Sequence, residues 1–358
     1  MLRTLLPAAA LWLAWAAPGP VLNIADQGGE DELPSNTMYA FHEAVAAGAD
    51  MLAIDVQATR DGRLIAMRDW TVDRTTDGTG YVADLTLAEI RRLDAAYHFV
   101  PRRAHRHPLR GVRTGDRRPP RGFKRADFRV PTLAEVLLRF PRMPMSIEIE
   151  GRDEAQSVRA AELVAALLEG TQRRDLIVAS SSQRAIDRFH ELRPEMPVPR
   201  VVALEAQAAT TEAVRQAHLA GNAVHVTASD AYGRLFHMCV DGIVTPAPNA
   251  LQRRLPEVDP CSVRATRATV EGRTVAVGLE RRGLGPQAYE GVVTIRSRGR
   301  LVGREEFSLA EGTEAGGVTV ALARFGRRLR DEDGRVRASI AVRTRGARGR
   351  PQLTRVRL

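Results

Sequence analysis

Asp26, Asp55, Arg68, Asp69, Glu148 and Glu150 stand at or just beyond the ends of short apolar segments. In a barrel of parallel strands, residues at the carboxyl ends of the strands face the active site. Carboxylate oxygens gathered there could hold Ca²⁺ or Mg²⁺, which take oxygen ligands. One arginine against five carboxylates leaves such a cluster anionic. At about 4 Å an unscreened like-charge pair costs roughly 4 kcal/mol at an effective dielectric near 20, so an anionic ligand would need a cation beside it. Arg68 can clamp an anion but cannot shuttle protons, because its pKa exceeds about 12. Asp55 and Glu148 have a plainer reading as strand carboxylates held by local hydrogen bonds.

These residues need a scaffold, and the chain supplies the pattern of one. From Val21 to about Leu255 short apolar strands alternate with amphipathic helices, the signature of parallel α/β construction. Strands are expected at Val21 to Ala25, Met51 to Val56, Leu64 to Met67, Ser146 to Glu150, Leu176 to Ser180, Val198 to Ala203, Ala223 to Thr227 and Gly242 to Val244. Helices fit Ala155 to Glu169, Ser182 to Arg193, Thr211 to Ala220 and Asp230 to Met238, and Asn36 is placed to cap a helix carrying Phe41, Ala44 and Val45. Asp61-Gly62 marks a turn, and Asp73, Asp77 and Gly78 are turn formers. From Cys261 onward the pattern becomes short alternating strands, such as Thr274 to Leu279, Gly291 to Ile295, Gly317 to Ala323 and Arg337 to Val342, which predicts a small all-β sandwich. The expected organisation is a leader over 1–17, an α/β barrel over 21–255 and a β-sandwich accessory domain over 261–358.

Arg3, the apolar run to Ala17 and the Ala14-Trp15-Ala16 step read as a secretory leader, which predicts a secreted or cell-envelope protein with no transmembrane segment in the mature chain. In that setting Cys239 and Cys261, the only cysteines, could pair or remain buried thiols. The formal charge of +10 rests on arginine, since Lys124 is the only lysine. Such a bias is a genome-composition effect more simply than a nucleic-acid surface, and no nucleic-acid-binding motif is present. Residues 101–125 nonetheless concentrate ten Arg or Lys residues with one Asp, a basic loop that could attract an anionic envelope polymer or simply be a solvated excursion.

Several spaced motifs occur in order: Pro34-Ser35-Asn36-Thr37, Gly48-Ala49-Asp50, Ala53-Ile54-Asp55, Asp61-Gly62, Met67-Arg68-Asp69, Asp73-Arg74-Thr75-Thr76-Asp77-Gly78, Val130-Pro131-Thr132-Leu133 and Val240-Asp241-Gly242-Ile243. Together they resemble the glycerophosphodiester phosphodiesterase family over roughly Leu22 to Leu255. The resemblance implies a (β/α)8 TIM-type barrel, hydrolysis of glycerophosphodiesters in lipid metabolism, and a bound divalent cation.

It also implies a divergent, degenerate site. The family's histidine-arginine-glycine segment reads Asp26-Gln27-Gly28, and its second catalytic histidine is Arg68 beside Asp69. The glutamate of its Glu-Asn-Thr segment is Ser35, its Glu-x-Asp metal pair is Ala53-Ile54-Asp55, and its Glu-x-Lys strand is Glu148-Ile149-Glu150. Asp55, Glu148 and Glu150 are thereby the implied metal ligands, and Asn36, Gln27 and Arg68 the implied ligand-binding residues. Asp26 and Arg68 occupy the two acid-base positions. The chain is short for the late strand-helix units, so the barrel is expected to be incomplete near its fifth and sixth units. The implied ligand is a glycerophosphodiester or another phosphorylated small molecule. With both histidines replaced, the expected function is an exported binding or scaffold module that has lost phosphodiester hydrolysis; the alternative is an active metal-dependent hydrolase of glycerophosphodiesters with rewired acid-base groups.

Overall fold

The computed structural model describes residues 21–102, 104–196, 200–255, 261–281, 289–310, 313–323, 337–344 and 352–357. The expected leader over 1–17 and the start of the strand expected at Val198 lie outside them. The chain divides into two compact units, Leu22–Pro199 with Val244–Arg253, and Arg200–Ile243 with Arg254–Leu358.

The barrel sheet is built from β1 (Leu22–Asp26), β2 (Met51–Ala58), β4 (Met145–Ile149), β5 (Leu176–Ser180), β6 (Val201–Glu205), β7 (Ala223–Thr227) and β8 (Gly242–Thr245). Their order is β5-β4-β2-β1-β8-β7-β6, while the short β3 (Leu64–Ala66) pairs antiparallel with β2. The family barrel of eight strands is thus seven parallel strands among the described residues, in an open sheet with β5 and β6 at its ends.

In the first unit, side chains alternate across β2 and β4 because successive strand residues point to opposite faces. Leu52, Ile54, Val56, Ile147 and Ile149 enter one apolar core with Phe41 and Ala44 of α1 (Met38–Ala46), Leu133 and Val136 of α3 (Leu133–Arg139), and Val164 of α4 (Glu154–Leu167). The same unit holds the short α2 (Leu87–Ile90), α5 (Gln183–Leu192) and a last helix over Pro248–Gln252. Burying each such aliphatic side chain contributes about 1.5–3 kcal/mol, which commits these residues to the helix side. Asp55, Glu148 and Glu150 are left on the other face. The cap of α1 differs from expectation: Thr37, not Asn36, accepts the Ala40 amide at 3.1 Å. Asn36 sits one residue earlier in a left-handed conformation, φ +53°, and turns its side chain to the strand ends.

The second unit holds β6 and β7 with α6 (Thr211–Leu219) and α7 (Tyr232–His237), and two antiparallel sheets ordered β13-β10-β9 and β12-β11-β14-β15. The expected strands correspond to β10 (Thr274–Arg281), β11 (Tyr289–Ser297), β13 (Ala315–Ala321) and β14 (Arg337–Thr344). Three strands escaped the sequence pattern: β9 (Val263–Glu271), β12 (Arg300–Leu309) and β15 (Gln352–Arg357), of which β9 and β12 turn arginine and glutamate to solvent. Both sheets contribute to one core containing Val275, Val277, Val293, Ile295, Val320 and Ile340, which makes them a sandwich.

Cys239 and Cys261 form a disulfide across a sequence separation of 22, which settles the alternative left open by composition. A loop of that length is expected to contribute about 3 kcal/mol by restricting the unfolded chain. Replacing both cysteines with alanine should lower the thermal midpoint and make it insensitive to reductant. Equal midpoints for the intact and substituted chains would show that the bridge adds nothing.

Candidate active site

Parallel register brings the carboxylates together. Asp26 pairs with Ala53 between β1 and β2, and Asp55 pairs with Glu148 between β2 and β4. The Glu150 amide extends the second ladder by donating to the Val56 carbonyl at 2.9 Å. One oxygen each from Asp55, Glu148 and Glu150 lies within 4.8 Å of the others. This is the separation at which a single cation can be shared, and the donors are the hard oxygens that Ca²⁺ and Mg²⁺ prefer. The three residues named as metal ligands from the sequence are therefore assembled. Ala53, where the family has a carboxylate, is buried and contributes only a methyl group.

The loop after β1 reaches over the cluster. The Gln27 amide donates to the Ala53 carbonyl at 3.0 Å, and the Asn36 amide donates to the Gln27 carbonyl at 2.8 Å. Both residues are buried and both hold positive φ. Asn36 Nδ2 donates to Asp55 Oδ2 at 2.9 Å and to Gln27 Oε1 at 3.5 Å, and Ser35 Oγ donates to the same Gln27 oxygen. Gln27 Nε2 is buried with no acceptor in full hydrogen-bond geometry, yet it lies near enough to Asp26 to lower that carboxyl's pKa, which places a donor beside the carboxylates. Gly28 follows with φ +79°, and a Cβ there would lie 2.8 Å from the Ala40 Cβ, which accounts for a glycine at this point.

Arg68 and Asp26 face each other, Nη1 to Oδ2, at 4.0 Å. Gln57 Nε2 donates to the carbonyls of Met67, Arg68 and Asp69, at 3.0, 2.9 and 2.6 Å, pinning this backbone while the Arg68 side chain stays half exposed. Two residues were missed by the sequence reading. Arg74 donates through Nε and Nη2 to both oxygens of Asp69, and its Nη1 lies 3.5 Å from Glu30. The charge balance read from the sequence therefore needs correcting: Asp69 is neutralised by Arg74, and Glu30 joins the carboxylates that act on Arg68. Arg74 lay within a turn motif and Glu30 within a glycine-rich loop, and only the folded backbone brings the two together.

Burial is the main force on the cluster. It pushes the Glu148 carboxyl up to about 8, helped by Asp55, Asp26 and Glu150. Asp26 rises to about 7 through burial and then the charges of Asp55 and Glu30, and Glu150 rises to about 7 through burial and Asp55. Asp55 is also raised, by burial, against the Asn36 hydrogen bond. Carboxylates in this condition favour either a proton or a metal ion.

No histidine hydrogen-bonds to these carboxylates among the described residues. His42 meets Arg139 at 2.6 Å, His218 meets Asp241 at 2.8 Å, and His98 packs edge-on against Tyr97. The basic loop is ordered around Ala96, Val112 and Phe128, with Phe123 and Phe128 against Tyr39. Several of its arginines are spent internally: Arg110 over Tyr97, Arg113 on the Arg91 carbonyl, Arg117 on the Pro108 carbonyl. Arg102 pairs with Asp31.

A parallel sheet backed by helices, with acidic groups converging at its strand ends, places the protein in the class of α/β barrels that keep their site at that end. The chain belongs to the glycerophosphoryl diester phosphodiesterase family, whose pattern matches residues 27–250. It is 30% identical over 203 residues to the glycerophosphodiester phosphodiesterase of Bacillus subtilis, covering 55% of this chain and 64% of that one. The glycerophosphodiester phosphodiesterase of Caldanaerobacter subterraneus is 32% identical over 179 residues, covering 49% and 65%. The chain thus spans slightly less than two thirds of these relatives. In fold it is similar to a phosphodiesterase from Oleispira antarctica solved with the product sn-glycerol-3-phosphate, with a TM-score of 0.55 and 21% identity over 65% of this chain and 96% of that one.

The raised carboxyls have a signed consequence. Because they bind protons more tightly folded than unfolded, their stabilising contribution is complete below the ordinary carboxylate range and is lost as pH rises through about 7 to 8. In chelator the thermal midpoint should fall between pH 5 and pH 8. Ca²⁺ or Mg²⁺ should restore it most at pH 8, and Asp55→Asn should remove that restoration. A metal effect of equal size at pH 5 and pH 8 would contradict the assignment.

Proposed function

We propose that this protein is an exported member of the family whose barrel binds a phosphorylated small molecule beside a divalent cation and no longer hydrolyses phosphodiesters. The observation that carries the reading is the Asp26–Arg68 pair, which occupies both acid-base positions in place of histidines. Arginine holds its proton at all relevant pH values, and a positioned acid or base typically supplies about 10²–10⁴ in rate. Asp55, Glu148 and Glu150 would hold the cation, which would neutralise the site and polarise a phosphoryl oxygen. Arg68 and the Gln27 amide would hold the remaining oxygens, with Asn36 orienting Asp55. The product bound by the Oleispira phosphodiesterase makes sn-glycerol 3-phosphate the first ligand to try.

A second reading, an active metal-dependent hydrolase of glycerophosphodiesters, draws support from Asp26, whose carboxyl exchanges its proton at about 7. In both readings the barrel is assigned to residues 21–255, and the sandwich of 261–358 is an accessory docking or stabilising domain. The exposed cations of loop 101–125, Arg106, Arg118, Arg121 and Lys124 among them, suit an anionic envelope polymer, and such binding would weaken steeply with salt.

Glycerophosphocholine and an aryl phosphodiester, each assayed with Ca²⁺, Mg²⁺ or chelator, separate the readings. The expected result is no turnover above an Asp55→Ala/Glu148→Ala control, together with calorimetric binding of sn-glycerol 3-phosphate in Ca²⁺. Metal-dependent turnover abolished in the control would establish the second reading. Restoring family residues together through Asp26→His, Gln27→Arg, Ala53→Glu, Arg68→His and Glu150→Lys is expected to raise activity from background. Continued silence would move the cause of inactivity to the open barrel sheet, seven parallel strands among the described residues.

A further inference from the structure

Arg68 carries a charge into the cation site from within the chain. Its guanidinium is the group that faces Asp26, at 4.0 Å, and it feels Asp55, Asp26, Glu30 and Glu150 as well. Arg74, the other arginine in this neighbourhood, is already bound by both oxygens of Asp69 and is drawn to Glu30. The backbone carbonyl of Arg68 is held by Gln57, yet its side chain is half exposed and makes no hydrogen bond among those of the described residues. A long, charged side chain anchored at its base and free at its tip can exchange partners without moving the fold.

We propose that Arg68 is a tethered counter-ion that competes with the divalent cation for the carboxylates and, once displaced, becomes the clamp for the ligand's phosphate, so that cation and anion bind cooperatively. The inference rests on the cation and phosphate reading above and adds the order built into it. A divalent ion at Asp55, Glu148 and Glu150 removes the attraction that draws the guanidinium inward and repels it directly. The released guanidinium has its planar fork available for a phosphate, a pairing that favours two parallel hydrogen bonds. The phosphate in turn holds Arg68 away from the carboxylates, and linkage requires each ligand to strengthen the other by the same factor.

Titration calorimetry of the full chain at pH 7.5 tests this, using CaCl2 and sn-glycerol 3-phosphate singly and each in the presence of the other. In the native protein each should tighten the other by about 10-fold, within the usual range of coupling between sites. Arg68→Gln should bind Ca²⁺ alone about 10-fold more tightly than the native protein, while its coupling to sn-glycerol 3-phosphate falls several-fold. Arg68→Lys, which keeps the charge, should compete with Ca²⁺ as the native residue does. Thermal midpoints in chelator and in Ca²⁺ report folding of each variant, and the gain from Ca²⁺ should be largest for Arg68→Gln. If the native chain binds Ca²⁺ and Arg68→Gln binds it equally or less well, the counter-ion role is overturned and the cation site stands. If neither chain binds Ca²⁺, the cation reading falls and this inference with it.

Discussion

The parallel register of β1, β2 and β4 is the constraint on which the site depends. Asp55 opposite Glu148, Asp26 opposite Ala53 and Glu150 one step beyond Ile149 are consequences of one alignment. A slip of one residue would turn every side chain of a strand to the other face. It would bury Asp55 among Phe41, Leu133 and Val164 and expose Ile54. The apolar core thus selects the alignment that crowds the acids, and the electrostatic cost of crowding is met at their other end by protons, Arg68 or a metal ion.

That cost explains the supporting residues around the cluster. Asn36 accepts the strain of a left-handed backbone to give Asp55 a hydrogen bond, and Gln27, earlier in the same loop, also takes a left-handed backbone and presents its side-chain amide beside the site. Arg74 removes Asp69 from the charge balance, and Gln57 fixes the carbonyls on which Arg68 is mounted. Strained and buried polar groups cluster where a fold holds a site against its own preference for apolar packing. In the proposed reading such groups keep the strand ends for binding, with carboxyls and not imidazoles as the groups that would exchange protons near neutrality.

Much of this was legible in the chain. Alternating apolar segments located the strands of the barrel to within three residues, and the ordered motifs led to the family and to Asp55, Glu148 and Glu150 as neighbours. The sandwich was visible as a change from helical to alternating pattern, although β9, β12 and β15 were not, because edge and surface strands carry charge where core strands carry valine and isoleucine. The open sheet of seven parallel strands among the described residues agrees with the incomplete barrel anticipated from the shortness of the late segments. The role of Asn36 was misjudged because asparagine is both a good cap and a good ligand to a carboxylate, and Thr37 beside it performs the capping.

The sequence by itself determined the scaffold, the strands that carry the acids, and the chemical types of the groups at the strand ends. Periodicity and residue type are local properties, and burial of apolar faces converts them directly into fold. The tertiary structure alone decided that Arg74 and Glu30 belong to the site, that Asp69 is spent on Arg74, that Cys239 meets Cys261, and how far each carboxyl is driven from its ordinary range. Those outcomes depend on distance and desolvation between residues remote in the chain, and neither quantity exists until the backbone has closed around them.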